Sequence, residues 1–341
     1  VRRHFNLGLT NVPNIYIEIS QYADKLIFDT NIMSDILTFS KALADETRLR
    51  LVAILLAHEL AVGEIVQALS LKQSRISRHL KILADSGLLN ARRDGQWVFY
   101  RAADSGKGCD YLKHLTPFFE GDEIFEADVS AATHVVASRA VASARFFDGI
   151  AGDWERMRAE ALGDLDLAAE IKHRMGTVSA AADLGCGPGR LLGELATGAK
   201  KVIGVDNAQG MLDEARDYLN RTLKNGAATS LRIGQLEHLP LSDGEVQFAV
   251  MCLALHHLSE PEKGIREARR VLAAGGRFVL ADFDKHENEK MRTKLGDRWL
   301  GFAPDEIDTW LTEAGFNINE TVLFPLPSGL NLRLVVAEKL H

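Results

Sequence analysis

The sequence predicts a multidomain chain, in which a small α+β winged helix-turn-helix precedes an α/β Rossmann-like unit with a largely parallel sheet. Three observations predict it. Between residues 64 and 101 a short helical pattern, a tight turn, a helix with a polar and basic face, and a basic hairpin follow one another. Further on, A-A-D-L-G-C-G-P-G-R over Ala181–Arg190 follows a β-like apolar run, and Asp206 ends the next such run. Beyond that loop, apolar runs alternate with helical patterns, as they do when helices cover both faces of a parallel sheet.

At 341 residues and 46% hydrophobic content the chain can bury two separate cores. Its longest apolar runs, Leu51–Ala57 and Ala249–Leu255, fall far short of the roughly 20 residues that span a bilayer. No membrane span is expected, nor a secretory leader, so a cytoplasmic location follows by default. Three scattered cysteines, Cys109, Cys186 and Cys252, fit a reducing compartment without a disulfide framework. The net charge of −7 is unevenly spread. Ser34–Arg101 has 10 Lys/Arg against 7 Asp/Glu, and the chain from Ala102 onward has 27 against 37. A basic module ahead of an acidic body hints at a polyanionic partner for the first part alone.

Four segments are expected. Residues 1–33 lack sustained periodicity and read as an N-terminal extension, either an ordered arm or sequence foreign to the native protein. Residues 34–105 form the first domain. Ser34 is placed as the cap of a helix to about Ala42, and Asp45 as the cap of a second helix with Leu49, Val52, Ile54, Leu55 and Leu56. After a break near Ala61–Gly63, a short helix over Glu64–Leu69 and a turn at Ser70–Lys72 lead to a helix beginning near Ser74. Ile76, Leu80 and Leu83 face inward there, and Gln73, Ser74, Arg75, Ser77, Arg78, His79 and Lys81 face outward. Such a second helix enters the major groove of DNA. Asp94-Gly95 between β-favouring runs is a hairpin signal, and Arg92 and Arg93 make that hairpin a basic wing. Gln73, Ser74, Ser77 and Arg78 are assigned to base edges; Arg75, His79, Lys81, Arg92 and Arg93 to phosphates. Basic residues on one helix face are more often merely solvated, but here the turn and the wing accompany them.

The motifs K-A-L-A-D-E-T-R-L-R-L, S-R-I-S-R-H-L-K-I-L-A-D-S-G-L-L and R-R-D-G-Q-W-V-F-Y-R, in that order, resemble the ArsR/SmtB-type bacterial repressors over about Leu37–Arg101. The resemblance implies a homodimer that reads a palindromic operator on double-stranded DNA and is released by an effector. The family's usual effectors are metals held by cysteines in the segment that here reads E-L-A-V-G-E over Glu59–Glu64, without a cysteine. Cys109, Asp110 and His114 do not match the spacing of the family's other metal site. No metal is therefore expected, and the effector should bind elsewhere.

Residues 106–150 are read as a helical linker. Leu112, Leu115, Phe118 and Phe119 fall at helical spacing, and Val129–Phe147 is apolar around most of the helix, as buried helices are. Core packing explains this pattern; the resemblance implies a dimer interface. Phe146–Arg156 resembles the lead-in helix of small methyltransferases and makes Trp154 a candidate lid.

Residues 151–341 form the second domain. Val178–Leu184, Lys201–Val205, Thr229–Ile233, Val246–Leu253 and Gly276–Asp282 read as strands, with helices near Leu191–Ala196, Gly210–Thr222 and Glu260–Leu272. A terminal hairpin, Ala314–Phe324 with Leu330–Glu338, breaks the alternation. Glycines after the first strand let a ligand approach the backbone. A dinucleotide loop wants G-x-G-x-x-G, but Arg190 stands at the third glycine. With G-Q-L-E-H-L-P-L from Gly234, L-A-L-H-H-L from Leu253 and R-R-V-L-A-A-G-G-R from Arg269, the loop resembles the class I S-adenosylmethionine-dependent methyltransferases of the ubiquinone and menaquinone type.

By that resemblance Asp183, Gly185, Cys186, Gly187 and Gly189 would hold the methionine part of S-adenosylmethionine or S-adenosylhomocysteine, and Asp206 its ribose. Gln235 and Leu236 would meet the adenine; Asn207, Met211, Cys252 and Trp154 complete the set. Gln235 and Cys252 depart from the residues common at their positions. His256 and His257 are weak candidates for a catalytic base, since L-H-H-L at a strand end more often serves packing. Cys186 and Cys252 are not a chelating pair for arsenic. Along its length the chain resembles ArsR-type regulators with a methyltransferase-like domain that answer to S-adenosylhomocysteine or S-adenosylmethionine in the methionine cycle. An active small-molecule methyltransferase with an autoregulatory DNA-binding domain is the alternative.

Overall fold

The computed structural model describes residues 33–223 and 227–340. The N-terminal extension up to residue 32 lies outside them. Contacts divide the chain into two compact units, one with the described residues up to Arg92 and Phe99–Ala132, the other with Arg93–Val98 and the residues from Thr133 on.

In the first unit a helix over residues 33–43 (α1) precedes α2 (Glu46–Ala57). Ser34 lies inside α1 and does not cap it; its carbonyl accepts from the Thr38 hydroxyl at 2.9 Å. Asp45 does cap α2, its carboxylate accepting from Arg48 N. Next come a two-residue strand β1 (Leu60–Ala61), α3 (Val62–Leu69) and α4 (Gln73–Asp85). α3 begins two residues earlier than expected because Glu64 reaches back to accept from Ala61 N at 2.7 Å. Ser70 closes α3 with φ of 52°, which turns the chain sharply enough for α4 to start three residues later. Leu51, Ile54, Leu55, Ile65, Ile76, Leu80 and Leu83 are buried together as its core. The hairpin strands β2 (Leu89–Asp94) and β3 (Trp97–Ala102) are joined at Gly95, φ 57°, and β1 adds antiparallel to β3.

After α5 (Gly106–Leu115), the long helix α6 runs from Glu123 to Ile150. Arg50 grips its N-terminal half by a two-pronged bond to Asp128, at 2.6 and 2.8 Å. Among the described residues its apolar pattern is only partly covered: Ile124 and Val141 are half exposed, at 53% and 50%, and Phe118 before it is open to solvent.

The second unit carries a seven-stranded sheet. Its strands are β4 (Val178–Leu184), β5 (Ala199–Asp206), β6 (Ala228–Ile233), β7 (Val246–Cys252), β8 (Leu272–Phe283), β9 (Phe316–Pro325) and β10 (Asn331–Lys339). They lie in the order β6-β5-β4-β7-β8-β10-β9. β4 to β8 pair in parallel, and β10 runs antiparallel between β8 and β9, as the terminal hairpin predicts. β8 is longer than expected, the lead-in stretch Phe146–Arg156 is divided between the end of α6 and the start of α7 (Trp154–Leu162), and the helices α8 (Leu167–Met175), α12 (Lys290–Lys294) and α13 (Pro304–Glu313) have no counterpart among the expected elements. The expected helices are α9 (Arg190–Leu195), α10 (Gln209–Thr222) and α11 (Pro261–Val271). Both faces of the central strands are covered, so Ala181, Ala182, Val202, Ile203, Phe248, Ala249 and Val250 are all buried whichever way they point. Strand order reverses at β4, and ligands of such sheets sit at that switch point, beyond the carboxyl ends of the strands.

Candidate functional site

A cavity opens at this point, lined by the ends of β4, β5 and β7 and by α6 and α7. The glycine loop forms one wall. Gly185, Gly187 and Gly189 have φ of 85°, 47° and 78°, a region that disfavours side chains. A Cβ on Gly185 would lie 2.6 Å from Ala254 Cβ, and one on Gly189 2.8 Å from Ala215 Cβ. The loop is tied down by Gly185 N and Cys186 N, which both donate to Val205 O, and by Gly187 N, which donates to Asp206 Oδ2 at 2.9 Å.

Asp183, Gly185, Cys186, Gly187, Asp206, Asn207, Met211, Leu236, Cys252 and Trp154 all line this one cavity. Two of the expected residues stand outside it. Gly189 packs against α10 and lets the loop enter α9, and Gln235 is exposed and bridged to His238, so that Leu236 and Glu237 form the wall instead. Glu237 itself accepts from Ser259 N at 2.9 Å. Arg190, at the third glycine position, begins α9 and points to Glu155 at 2.7 Å.

Lining residues outside every stretch singled out for a ligand include Arg139 and Ser143 from α6, and Arg158 from α7; Phe147 and Glu155 belong to the lead-in stretch Phe146–Arg156. Only the aromatic cluster around Trp154 and a helical lead-in announced that these helices approach the loop. Trp154 meets Phe147 edge-on at 5.3 Å, and Phe147 meets His257 edge-on at 4.8 Å.

Two of the carboxylates that line the cavity, Asp206 and Asp183, are buried and differ in their partners. Asp206 accepts backbone N–H groups with both oxygens, from Gly187 and from Ala208 at 3.0 Å, yet burial still raises its pKa. Asp183 is deeper, and its Oδ1 has no partner. Burial, with the Asp206 charge behind it, pushes its carboxyl up to about 7 against the pull of Arg158. Cys252 is pushed up to about 12 and Cys186 well above the usual thiol range, in both cases by burial, so both stay protonated and unreactive. Of the two histidines, His257 lines the cavity and burial holds it neutral; His256 lies behind it, its Nδ1 2.5 Å from Asp282 Oδ1.

On the first unit, Gln73, Ser74, Arg75, Ser77, Arg78 and Lys81 are exposed along one face of α4. His79 turns from that face toward Asp45, at 3.8 Å, and Arg48, so packing against the start of α2 competes with a phosphate. Arg75 donates to the Thr47 hydroxyl at 2.7 Å. Arg92 and Arg93 alternate across the hairpin: Arg92 is drawn to Glu59 at 3.4 Å, and Arg93 is exposed. Cys109 is buried, and His114 Nδ1 lies 2.7 Å from Asp110 O of its own helix.

A family model described as bacterial regulatory protein, arsR family, matches residues 45–91. A transcriptional repressor SmtB homolog from Synechocystis is 31% identical over 99 residues, 29% of this chain and 75% of that protein. The chain belongs to the ArsR family. Arsenic resistance transcriptional regulator ArsR1 of Pseudomonas putida is 50% identical over 62 residues of this ArsR-family chain, 18% of it and 48% of the regulator. The chain spans about half the length of the curated relatives it matches, as in that case. A second model, described as a methyltransferase domain, matches residues 182–280, from the strand before the glycine loop to β8. The ArsR-family chain thus carries a class I methyltransferase domain as well. Its fold is shared with a Burkholderia thailandensis 1,6-didemethyltoxoflavin-N1-methyltransferase solved with its substrate and S-adenosylhomocysteine (TM-score 0.51, 19% identity, 60% of this chain and 91% of that one). The described residues contain no helix long and apolar enough to cross a membrane.

Proposed function

We propose that this chain is a homodimeric DNA-binding transcriptional regulator, a repressor of methionine-cycle genes, whose effector is S-adenosylhomocysteine or S-adenosylmethionine bound in the methyltransferase domain. The observation that carries this reading is the composition of the cavity at the switch point. A zwitterionic adenosyl amino acid offers an ammonium, a carboxylate, a ribose diol and a flat base. Asp183, the Arg158 guanidinium, Asp206 and the apolar wall of Leu236, Met211 and Leu258 answer these four groups in kind. That the Burkholderia enzyme was solved with S-adenosylhomocysteine supports the same ligand class. The absence of cysteines from Glu59–Glu64 favours an effector taken up away from the family's thiolate positions.

An effector acts by preferring one of two states, and coupled sites differ by about 1–3 kcal/mol, or 5- to 150-fold in affinity. The test is the anisotropy of labelled duplex DNA, selected from a random pool by the full chain, titrated with and without each nucleoside. A change of that size with one of them is expected; equal DNA affinity in all three conditions overturns the sensor reading. The alternative, an active methyltransferase on a small molecule, is favoured by one observation: His257, which burial holds neutral, lines the cavity. Turnover of S-adenosylmethionine to S-adenosylhomocysteine with an acceptor panel would establish it.

A further inference from the structure

Three ligand-type side chains of the methyltransferase domain, His256, His257 and Asp297, bring donor atoms within 4.8 Å of one another. His256 and Asp297 are both more than nine-tenths buried. His256 Nε2 is 3.6 Å from Asp297 Oδ1. Neither oxygen of Asp297 has a hydrogen-bond partner, nor has His257 Nε2. On the far side, the His256 Nδ1–Asp282 contact at 2.5 Å fixes the ring and leaves Nε2 pointing at Asp297. His257 is oriented in the same sense, its Nδ1 lying 3.3 Å from Gly296 O.

A buried carboxylate with two idle oxygens is expensive unless something positive meets it. Arg292, whose charge reaches Asp297, is itself paired with Glu289 at 3.1 Å. Against the effect of burial, Asp282 and Asp297 together raise the pKa of His256, so the positive charge that meets them in the ion-free chain is a proton on this imidazole, which a bound ion would displace.

We propose that His256 Nε2, His257 Nε2 and one oxygen of Asp297 bind a divalent first-row transition ion, with Asp282 orienting His256 from behind. Donors about 2.1 Å from a tetrahedral ion sit about 3.4 Å apart, close to the His256–Asp297 separation, and a small rotation of His257 closes the rest. Two imidazoles and one carboxylate suit zinc, cobalt, nickel or ferrous iron over magnesium or calcium. A carboxylate behind a ligating histidine is the usual outer support for such ions. Three protein ligands leave one coordination position open, and through His257 the site borders the cavity. This departs from the metal-free expectation drawn from the winged-helix segment, and it does not depend on which nucleoside the cavity takes.

The test uses the full chain, stripped with chelator and titrated with Co2+ and Zn2+ without nucleoside. One equivalent of Co2+ with intense visible bands of low-coordinate geometry is expected, together with a Zn2+-dependent rise in melting temperature. Asp297→Asn and His257→Gln should each weaken Zn2+ binding at least about tenfold, and Asp282→Asn by about 10- to 100-fold. An unchanged circular dichroism spectrum and a cooperative melting transition for each variant would report that the second unit remains folded. The proposal is overturned if no stoichiometric binding occurs, if a proton-filled cluster leaves melting indifferent to Zn2+, or if Asp297→Asn and His257→Gln bind as tightly as the parent. Should both variants unfold, the parent's Co2+ spectrum decides alone: bands of octahedral oxygen ligation, or no bands, would sink it.

Discussion

Asp183 stands two residues before the glycine loop, and burial works against its charge there. A carboxyl whose pKa climbs from its ordinary value near 4 to about 7 on folding binds more protons in the folded chain. Its contribution to stability therefore becomes less favourable as pH rises through that window. Asp183→Asn removes the titration. We expect the variant to be more stable than the parent at pH 8, by about 1–2 kcal/mol, with a flatter stability profile between pH 5 and 7, while nucleoside affinity falls. Thermal denaturation across pH checks the first part and calorimetry the second; a variant with the parent's pH profile would show that Asp183 does not titrate in this way. The sequence located Asp183 through the loop that follows it. Arg158 and Asp297 were not legible, because each reaches its partners from a distant segment that no spacing or periodicity connects to the motif.

Elements were more legible than their lodgings. Capping by Asp45, the turn at Ser70, the strands β4 to β7 and the terminal hairpin follow from local chemistry, which short sequence windows contain. Which face of an element is covered depends on the rest of the chain. Thus His79, though it shares its helix with the outward-facing residues, is claimed by α2, whereas Arg78 on the same helix is fully available. Arg78→Ala should cost about 1–3 kcal/mol on the selected DNA and relax preference at the base pair it reads. By contrast, Lys81→Ala should weaken binding to all sequences alike and lower the salt slope by about one. Anisotropy between 50 and 200 mM salt separates the two, and an Arg78→Ala variant with parental affinity would remove it from the interface. For α6 the described residues leave part of the apolar pattern uncovered, Val141 among them. If a second copy covers it, Val141→Glu should shift the chain from dimer to monomer in light scattering; a parent that is already monomeric at micromolar concentration would refute that role.

For the molecule as a whole, the order of the two domains, the parallel sheet with its terminal hairpin and the glycine-loop side of the cavity could be read from motifs in sequence, while the contributions of Arg139, Ser143 and Arg158 could not. Four helices of the second unit have weak or short patterns, and two of the walls come from α6 and α7. The glycine loop carries a consequence for how such a chain could adapt to heat. Replacing flexible glycines is among the easiest routes to a higher melting temperature, because each replacement shrinks the unfolded ensemble. Here all three loop glycines have left-handed backbones, and two of them abut alanine methyl groups at distances no extra carbon can share. That route is closed at the point where the chain has most entropy to lose, so descendants in hotter environments would have to find their stability elsewhere, in surfaces and helix ends, and carry the loop forward unaltered.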